Sequence, residues 1–110
     1  MAATTKTFNR YKVWYYASYG LATSYDALVF LYQDATQVGR VEFYKDGTAA
    51  SSLKSAIVDG LPCVRFEIKR YADVMGLLRT EGPAFSITVN DNNGIGSLGP
   101  NDFEATGEAE

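Results

Sequence analysis

Two glutamates and their arginine neighbours are the residues of this chain best suited to acid-base chemistry. Glu42 follows Arg40 by two residues and Glu67 follows Arg65 by two, each within an alternating run of apolar and polar residues. A carboxylate in an apolar setting can act as an acid or a base near neutral pH, and arginines and tyrosines beside it can bind an anion. An enzyme with a small-ligand pocket of Glu, Arg and Tyr residues is therefore one alternative function.

The 110-residue chain contains no histidine and a single cysteine, Cys63. This composition excludes a histidine base, Cys-His and Ser-His pairs, and His-ligated metal ions within one copy. Without a histidine beside it, Cys63 would need activation by a nearby Arg or Lys, so a partly buried strand residue is the simpler interpretation. We predict no metal site and no cofactor, and we favour a protein that is not an enzyme.

Two short motifs match known sites only in part. The spacing of Gly94, Gly96 and Gly99 is that of a dinucleotide-binding loop, but Pro100 follows where a helix should begin. The run Asn90 to Asn93 offers oxygen ligands but lacks the spaced carboxylates of a calcium-binding loop. We interpret both motifs as turns.

Basic and aromatic residues share one phase of the alternating runs. Successive side chains of a strand point to opposite faces, so residues two apart lie on the same face. If the strands align, one sheet face carries Arg10, Lys12, Trp14, Tyr16, Arg40, Tyr44, Arg65 and Lys69. The simplest interpretation is a solvated face with ion pairs worth about 0 to 1 kcal/mol each. The alternatives are a platform for an anionic or aromatic ligand, including single-stranded nucleic acid, and an interface for a protein partner.

The elements that must hold these residues are mostly strands. Period-two alternation and turn residues predict strands over Phe8–Ala17, Ala27–Tyr32, Val38–Lys45, Ala56–Val58, Cys63–Arg70, Ala84–Val89 and Ile95–Leu98. Helical spacing occurs once, and it predicts a short helix over about 71–81. The predicted fold is α+β, a curled antiparallel sheet or partly open barrel of five to seven strands with that one helix.

Length and charge indicate one domain with an acidic end. The length suits a single globular domain, which we place at residues 1–99. Residues 100–110 carry four acids and no base, which predicts a flexible tail. Subtracting those 4 from the 13 acids leaves 9 against 10 bases, so bulk charge makes nucleic acid a less favoured partner.

The second predicted strand, Ala27–Tyr32, has apolar residues on both faces. One helix can cover only one of them, and at roughly 25 cal/mol per Å² the exposure of several large side chains would forfeit several kcal/mol. The other face must be covered by curling of the sheet, by a loop such as Thr48–Ser55, or by a second copy of the chain, and of these we predict a homodimer. With no apolar leader, no apolar run of membrane-spanning length and one cysteine, we predict a cytoplasmic protein without membrane contact. Its favoured function is a small binding or interaction module.

Overall fold

The computed structural model describes residues 3–16, 25–79 and 85–100. These residues form eight strands and one helix: β1 (Ala3–Phe8), β2 (Arg10–Tyr15), β3 (Tyr25–Gln33), β4 (Thr36–Tyr44), β5 (Ala56–Val58), β6 (Leu61–Glu67), α1 (Tyr71–Leu78), β7 (Phe85–Asn90) and β8 (Ile95–Pro100). Short 3₁₀ turns occur at Ala50–Leu53 and Ile68–Arg70. The predicted α+β class with a curled sheet is confirmed.

The strands form two sheets that do not close into a barrel. The smaller sheet is antiparallel, with the order β1-β7-β8, and the larger has the order β2-β3-β4-β6-β5. Within the larger sheet β4 and β6 are parallel. Residues 45–60 connect them, which is long enough for the crossover that parallel neighbours require. The parallel pair therefore occurs at a connection long enough to form a crossover.

The first predicted strand is two strands, separated at Asn9. The side chain of Asn9 donates to Asp34 Oδ1 at 3.1 Å and accepts from the Asp34 backbone N–H at 2.9 Å. This contact holds the bend at which the chain leaves one sheet and enters the other. The preceding strand β1 was not predicted, because its Ala-Thr-Thr-Lys-Thr sequence does not alternate between apolar and polar residues. Residue 17, the predicted end of the run, lies outside the described residues.

The core lies between the two sheets. Its buried members are Phe8, Ala27, Val29, Leu31, Val41, Phe43, Val64, Val74, Met75, Leu78, Phe85, Ile87 and Val89. The rings of Phe8 and Phe85 stack with centroids 5.8 Å apart, joining β1 to β7. Helix α1 contributes three of these side chains. The larger sheet is thus covered on its inner face by a second sheet as well as by a helix.

This second sheet corrects the reason given for a homodimer. Ala27, Val29 and Leu31 of β3 are fully buried within one copy, and Leu28 on the opposite face is only 5 % exposed. The prediction counted a single helix as cover because it missed β1 and therefore the smaller sheet. Strand β3 consequently gives no reason for association, and the dimer needs support from another part of the chain.

Three predicted boundaries also change. Helix α1 ends at Leu78, while residues 80 and 81 of the predicted helix lie outside the described residues. Strand β6 ends at Glu67, where the chain enters a 3₁₀ turn. The hairpin between β3 and β4 turns through Asp34 and Ala35, with Asp34 at a φ of 57°. The predicted tail, apart from Pro100, also lies outside the described residues.

Gly96 lets β8 pass close to the larger sheet. A Cβ atom at this position would lie 2.6 Å from Ser55 Oγ and 3.1 Å from Val64 Cγ2. Nearby, the Ser55 backbone N–H donates to the Gly94 carbonyl at 2.9 Å. The glycine spacing that resembles a dinucleotide-binding loop is therefore used for a turn and for close packing of a strand. No helix among the described residues is long and apolar enough to cross a membrane.

Candidate functional site

The outer face of the larger sheet, which points away from the core, is crossed by rows of directly opposed residues. One row runs Trp14, Leu28, Glu42 and Arg65 across β2, β3, β4 and β6. The row beside it runs Lys12, Phe30, Arg40 and Cys63. Opposed residues of neighbouring strands share a face. The pairing register therefore brings together bases from β2, β4 and β6 and aromatic rings from β2 and β3.

Most of the predicted site residues lie on this outer face. Six occupy its strand positions: Arg10, Lys12, Trp14, Arg40, Tyr44 and Arg65. Tyr16 follows the end of β2, and its ring centroid lies 5.9 Å from that of Tyr25. Lys69 does not join them, because β6 ends at Glu67 and Lys69 sits in the 3₁₀ turn, with its Nζ 3.3 Å from Glu67 Oε1.

Glu42 is the buried centre of the outer face, with 2 % exposure. Its Oε2 atom lies 2.7 Å from Arg40 Nη2, and its Oε1 atom accepts from Arg65 Nε at 2.9 Å. The Tyr44 hydroxyl donates to the same Oε1 atom, also at 2.9 Å. Arg65 in turn donates from Nη1 to the Lys54 carbonyl. One carboxylate therefore neutralises one of two adjacent arginines and holds both in place.

These contacts decide the charge state of the cluster. Burial alone would raise the pKa of Glu42, but hydrogen bonds from Arg65 and Tyr44 and the charge of Arg40 outweigh it and hold that pKa below its ordinary value. Burial, together with the hydrogen bond to Glu42, raises the pKa of Tyr44 to about 12. Glu42 is thus a carboxylate and Tyr44 a neutral phenol at neutral pH.

The second alternative acid, Glu67, is also held as a carboxylate. Its Oε2 atom accepts from the Gly47 backbone N–H at 3.2 Å, and this bond, followed by the one with Lys69, lowers its pKa. An acid that works near neutral pH needs a raised pKa. The geometry of Glu42 and Glu67 thus favours structural ion pairs over acid-base catalysis.

The bases of the outer face that have no carboxylate partner in the described residues lie on β2. In residues 3–16, 25–79 and 85–100 no carboxylate forms an ion pair with Arg10 or Lys12. Arg10 Nη1 donates to the Asp34 carbonyl at 3.3 Å, and Lys12 Nζ lies 5.6 Å from the centre of the Tyr32 ring. They line a hollow of about 370 Å³, the β2 hollow, formed by Arg10, Tyr11, Lys12, Tyr32, Asp34 and Ala35.

Trp14 lies on the same face as Lys12 and is 59 % exposed. It is one of three large hydrophobic residues that are exposed in the described part of the chain, with Tyr15 and Ile95. Exposed indoles beside basic side chains are typical of surfaces that bind rings or protein partners. Trp14 and the β2 hollow together form an open part of the outer face that carries both a ring and bases.

A second hollow, of about 260 Å³, lies on the other side of β3. It is lined by Phe30, Gln37, Arg40, Val58, Asp59, Leu61 and Cys63. Cys63 is 1 % exposed, and burial, followed by the charge of Glu42, raises the pKa of its thiol. The neutral, buried thiol agrees with the interpretation of Cys63 as a strand residue without nucleophilic activity.

Sequence reasoning missed the contribution of β3 to this face. Phe30 lines the second hollow, and Tyr32 and Asp34 line the β2 hollow. The first two were treated as apolar residues in need of cover. The period-two pattern places them on one face, but only the register between β2 and β3 shows that this is the face of Lys12 and Trp14.

Comparisons with family models, with curated proteins and with solved structures find no match to this chain. Among the described residues, no group of three or more cysteine, aspartate or glutamate side chains is arranged to hold a metal ion. The function therefore has to be inferred from the outer face itself.

Proposed function

We propose that this protein is a non-enzymatic binding module that holds an aromatic anion along β2. The observation that carries the proposal is an imbalance of charge on the outer face. Arg40 and Arg65 are both engaged by Glu42, whereas Arg10 and Lys12 have no carboxylate partner in the described residues. The unpaired bases lie beside the exposed indole of Trp14.

The spacing along β2 suits a ligand that combines a flat ring with an anionic group. Lys12 and Trp14 are two residues apart on one face, which corresponds to about 6.8 Å along the strand. A ring can stack on the indole while its anionic group meets the ammonium of Lys12, with the guanidinium of Arg10 one further step along. We retain a cytoplasmic location in this proposal, because a chain with one cysteine has no internal disulfide framework of the kind found in oxidising compartments.

Titration of Trp14 fluorescence tests this function with three matched probes. Adenosine monophosphate supplies a ring and an anion, adenosine supplies the ring alone, and inorganic phosphate supplies the anion alone. We expect adenosine monophosphate to bind at least about fivefold more tightly than either of the others, a difference of roughly 1 kcal/mol. No change in emission with all three probes up to near-millimolar concentration would remove the proposal.

The matched variants are Lys12→Gln and Lys69→Gln. Both remove one exposed lysine from the same chain, but Lys69 lies off the outer face, beside Glu67. We expect only Lys12→Gln to weaken adenosine monophosphate. A mixed-sequence single-stranded decanucleotide that binds far more tightly than the mononucleotide would extend the ligand class to nucleic acid. Binding of an acidic peptide in place of all these probes would favour a protein partner.

A further inference from the structure

Among the residues that the structure describes, strand β2 is an edge of the larger sheet, and the backbone groups that have no partner there can be assigned residue by residue. The Tyr16 N–H donates to the Asp26 carbonyl at 2.8 Å, in the same register that pairs Arg10 with Tyr32. Because hydrogen-bonded pairs alternate along an antiparallel ladder, the even-numbered residues of β2 bond to β3. The N–H and C=O groups of Tyr11, Val13 and Tyr15 therefore point to the open edge.

The sequence around this edge reads similarly in both directions. Tyr11, Lys12, Val13, Trp14 and Tyr15 place an aromatic residue at each end and Val13 at the centre. A second copy running antiparallel about a two-fold axis at Val13 would set Tyr11 opposite the partner's Tyr15. It would also set Lys12 opposite the partner's Trp14. In each copy, the backbone N–H and C=O groups of Tyr11, Val13 and Tyr15 would then form hydrogen bonds with the partner's strand.

Other registers in which the odd-numbered residues of β2 form the hydrogen bonds to the partner's strand are less favourable. A two-fold axis at Lys12 places this lysine opposite the partner's Lys12. A two-fold axis at Tyr11 places Lys12 opposite the partner's Arg10. Both oppose like charges directly across the ladder, which is destabilising. Centring on Trp14 or Tyr15 carries the pairing past Tyr15, where β2 ends. The registers centred on Val13 and on Lys12 each pair five residues of β2, more than the others, and of these two only the one centred on Val13 opposes no like charges.

We infer that this chain forms a two-fold homodimer in which β2 pairs antiparallel with the β2 of a second copy, centred on Val13. The two larger sheets join into one sheet of ten strands, and the open edge of β2 is removed. Trp14 and Tyr15, which are 59 % and 58 % exposed in one copy, come to lie beside the partner's strand, while the outer face of the joined sheet, on which Trp14 lies, still points to solvent. This goes beyond the ligand proposal and does not depend on it.

Charge reversal across the axis tests both the dimer and its register. Trp14→Lys sets a lysine opposite the partner's Lys12 at two positions, and we expect the dissociation constant of the dimer to rise at least about tenfold. Adding Lys12→Glu to Trp14→Lys sets opposite charges at the same two positions, so we expect the dimer to return. Rescue by the second change is expected only for pairing centred on Val13, because the other registers do not bring residues 12 and 14 together.

The readout is the mass of ligand-free protein, measured by light scattering after size exclusion. We expect twice the chain mass of 12.0 kDa for the natural chain and for the double variant, and the single-chain mass for Trp14→Lys at low concentration. Trp14 is exposed, so all three chains should remain folded, which circular dichroism checks. A single-chain mass for the natural protein at about 100 µM, or a double variant no more dimeric than Trp14→Lys, would overturn the inference. Neither result bears on binding of adenosine monophosphate.

Cysteine cross-linking gives a second, independent measurement. In the Val13→Cys variant, the cysteine at position 13 would lie opposite the same cysteine of the partner. Their Cα atoms would be about 5.5 Å apart, which is within the range of a disulfide. Tyr11→Cys is the matched control. Its cysteine would lie opposite residue 15 of the partner, four residues or about 13 Å along the strand from the partner's cysteine. Mild oxidation should give a covalent dimer of Val13→Cys alone, since Cys63 is buried. Equal yields from both variants, or none from either, would contradict the register.

Discussion

Glu42 and Arg65 lie directly opposite each other on the parallel strands β4 and β6, and Arg65 Nε donates to Glu42 Oε1 across 2.9 Å. The same carboxylate also binds Arg40. Two of the four bases on the strands of the outer face are thereby held in fixed positions by one buried acid. The other two, Arg10 and Lys12, have no carboxylate partner in the described residues, and both lie on β2.

Glu42→Gln should lower the free energy of unfolding by about 2–3 kcal/mol, because two arginines lose the charge that compensates them. This value is reduced from that of a fully buried pair, since Arg40 and Arg65 are 29 % and 20 % exposed. Urea denaturation followed by circular dichroism measures the change. Glu67→Gln is the control, and its loss should be much smaller. Similar losses for both variants would show that the buried cluster has no special role in stability.

Acid should destabilise the fold in part through Glu42. Its pKa in the folded protein lies below the ordinary value of 4.5, so its contribution to stability is complete above about pH 4.5. That contribution is lost as the pH falls through the lower folded value. Denaturation at a series of acidic pH values should therefore show a shallower decline in Glu42→Gln than in the natural chain. Parallel declines would contradict the lowered pKa.

Tyr44 should ionise late. Burial and the hydrogen bond to Glu42 raise its pKa from 10.0 to about 12, so its contribution to stability is present below pH 10 and is lost as the pH rises through about 12. Absorbance titration of the phenolate band should show a step near 12 that Tyr44→Phe lacks. Tyr16→Phe should keep this step, because Tyr16 lies at the end of β2. If the step near pH 12 persisted in Tyr44→Phe, another tyrosine would be the group with the raised pKa.

Gly96→Ala should destabilise the contact between the sheets. The added Cβ would lie 2.6 Å from Ser55 Oγ, so β8 or Ser55 must move, at a cost of about 1–3 kcal/mol. Gly99→Ala is the matched control in the same strand, since no atom lies within 4 Å of its Cβ position. Thermal unfolding of the two variants measures the difference. Equal midpoints would mean that β8 does not approach Ser55 this closely.

The sequence alone predicts which residues share the outer face but not how they pair. Alternation in β2, β4 and β6 correctly groups Lys12, Trp14, Arg40 and Arg65, because the period of a strand is two whatever its neighbours. The joining of Arg65 to Glu42 was not predictable, because it depends on the register of strands far apart in the chain. Lys69 was misplaced for a similar local reason, since alternation does not show that β6 gives way to a 3₁₀ turn.

The smaller sheet was missed for a different reason. Phe8 and Tyr11 both pack against the core but lie three residues apart, so they cannot share one face of a continuous strand. The predicted run Phe8–Ala17 passed over this single break in alternation, which coincides with the bend at Asn9. That bend depends on the contact of Asn9 with Asp34, a residue in a distant hairpin turn. The apolar cover of β3 was consequently underestimated. The reasons for self-association move from β3 to the open edge of β2.

The central claim is that a ring-bearing anion binds the outer face along β2. Mapping of backbone amide chemical shifts by NMR during titration with adenosine monophosphate tests it most directly. We expect the largest shifts at Arg10, Lys12, Trp14 and Tyr32, with little change at Ile87 and Val89 in the buried centre of β7. Shifts confined to the smaller sheet, or none up to near-millimolar ligand, would contradict it.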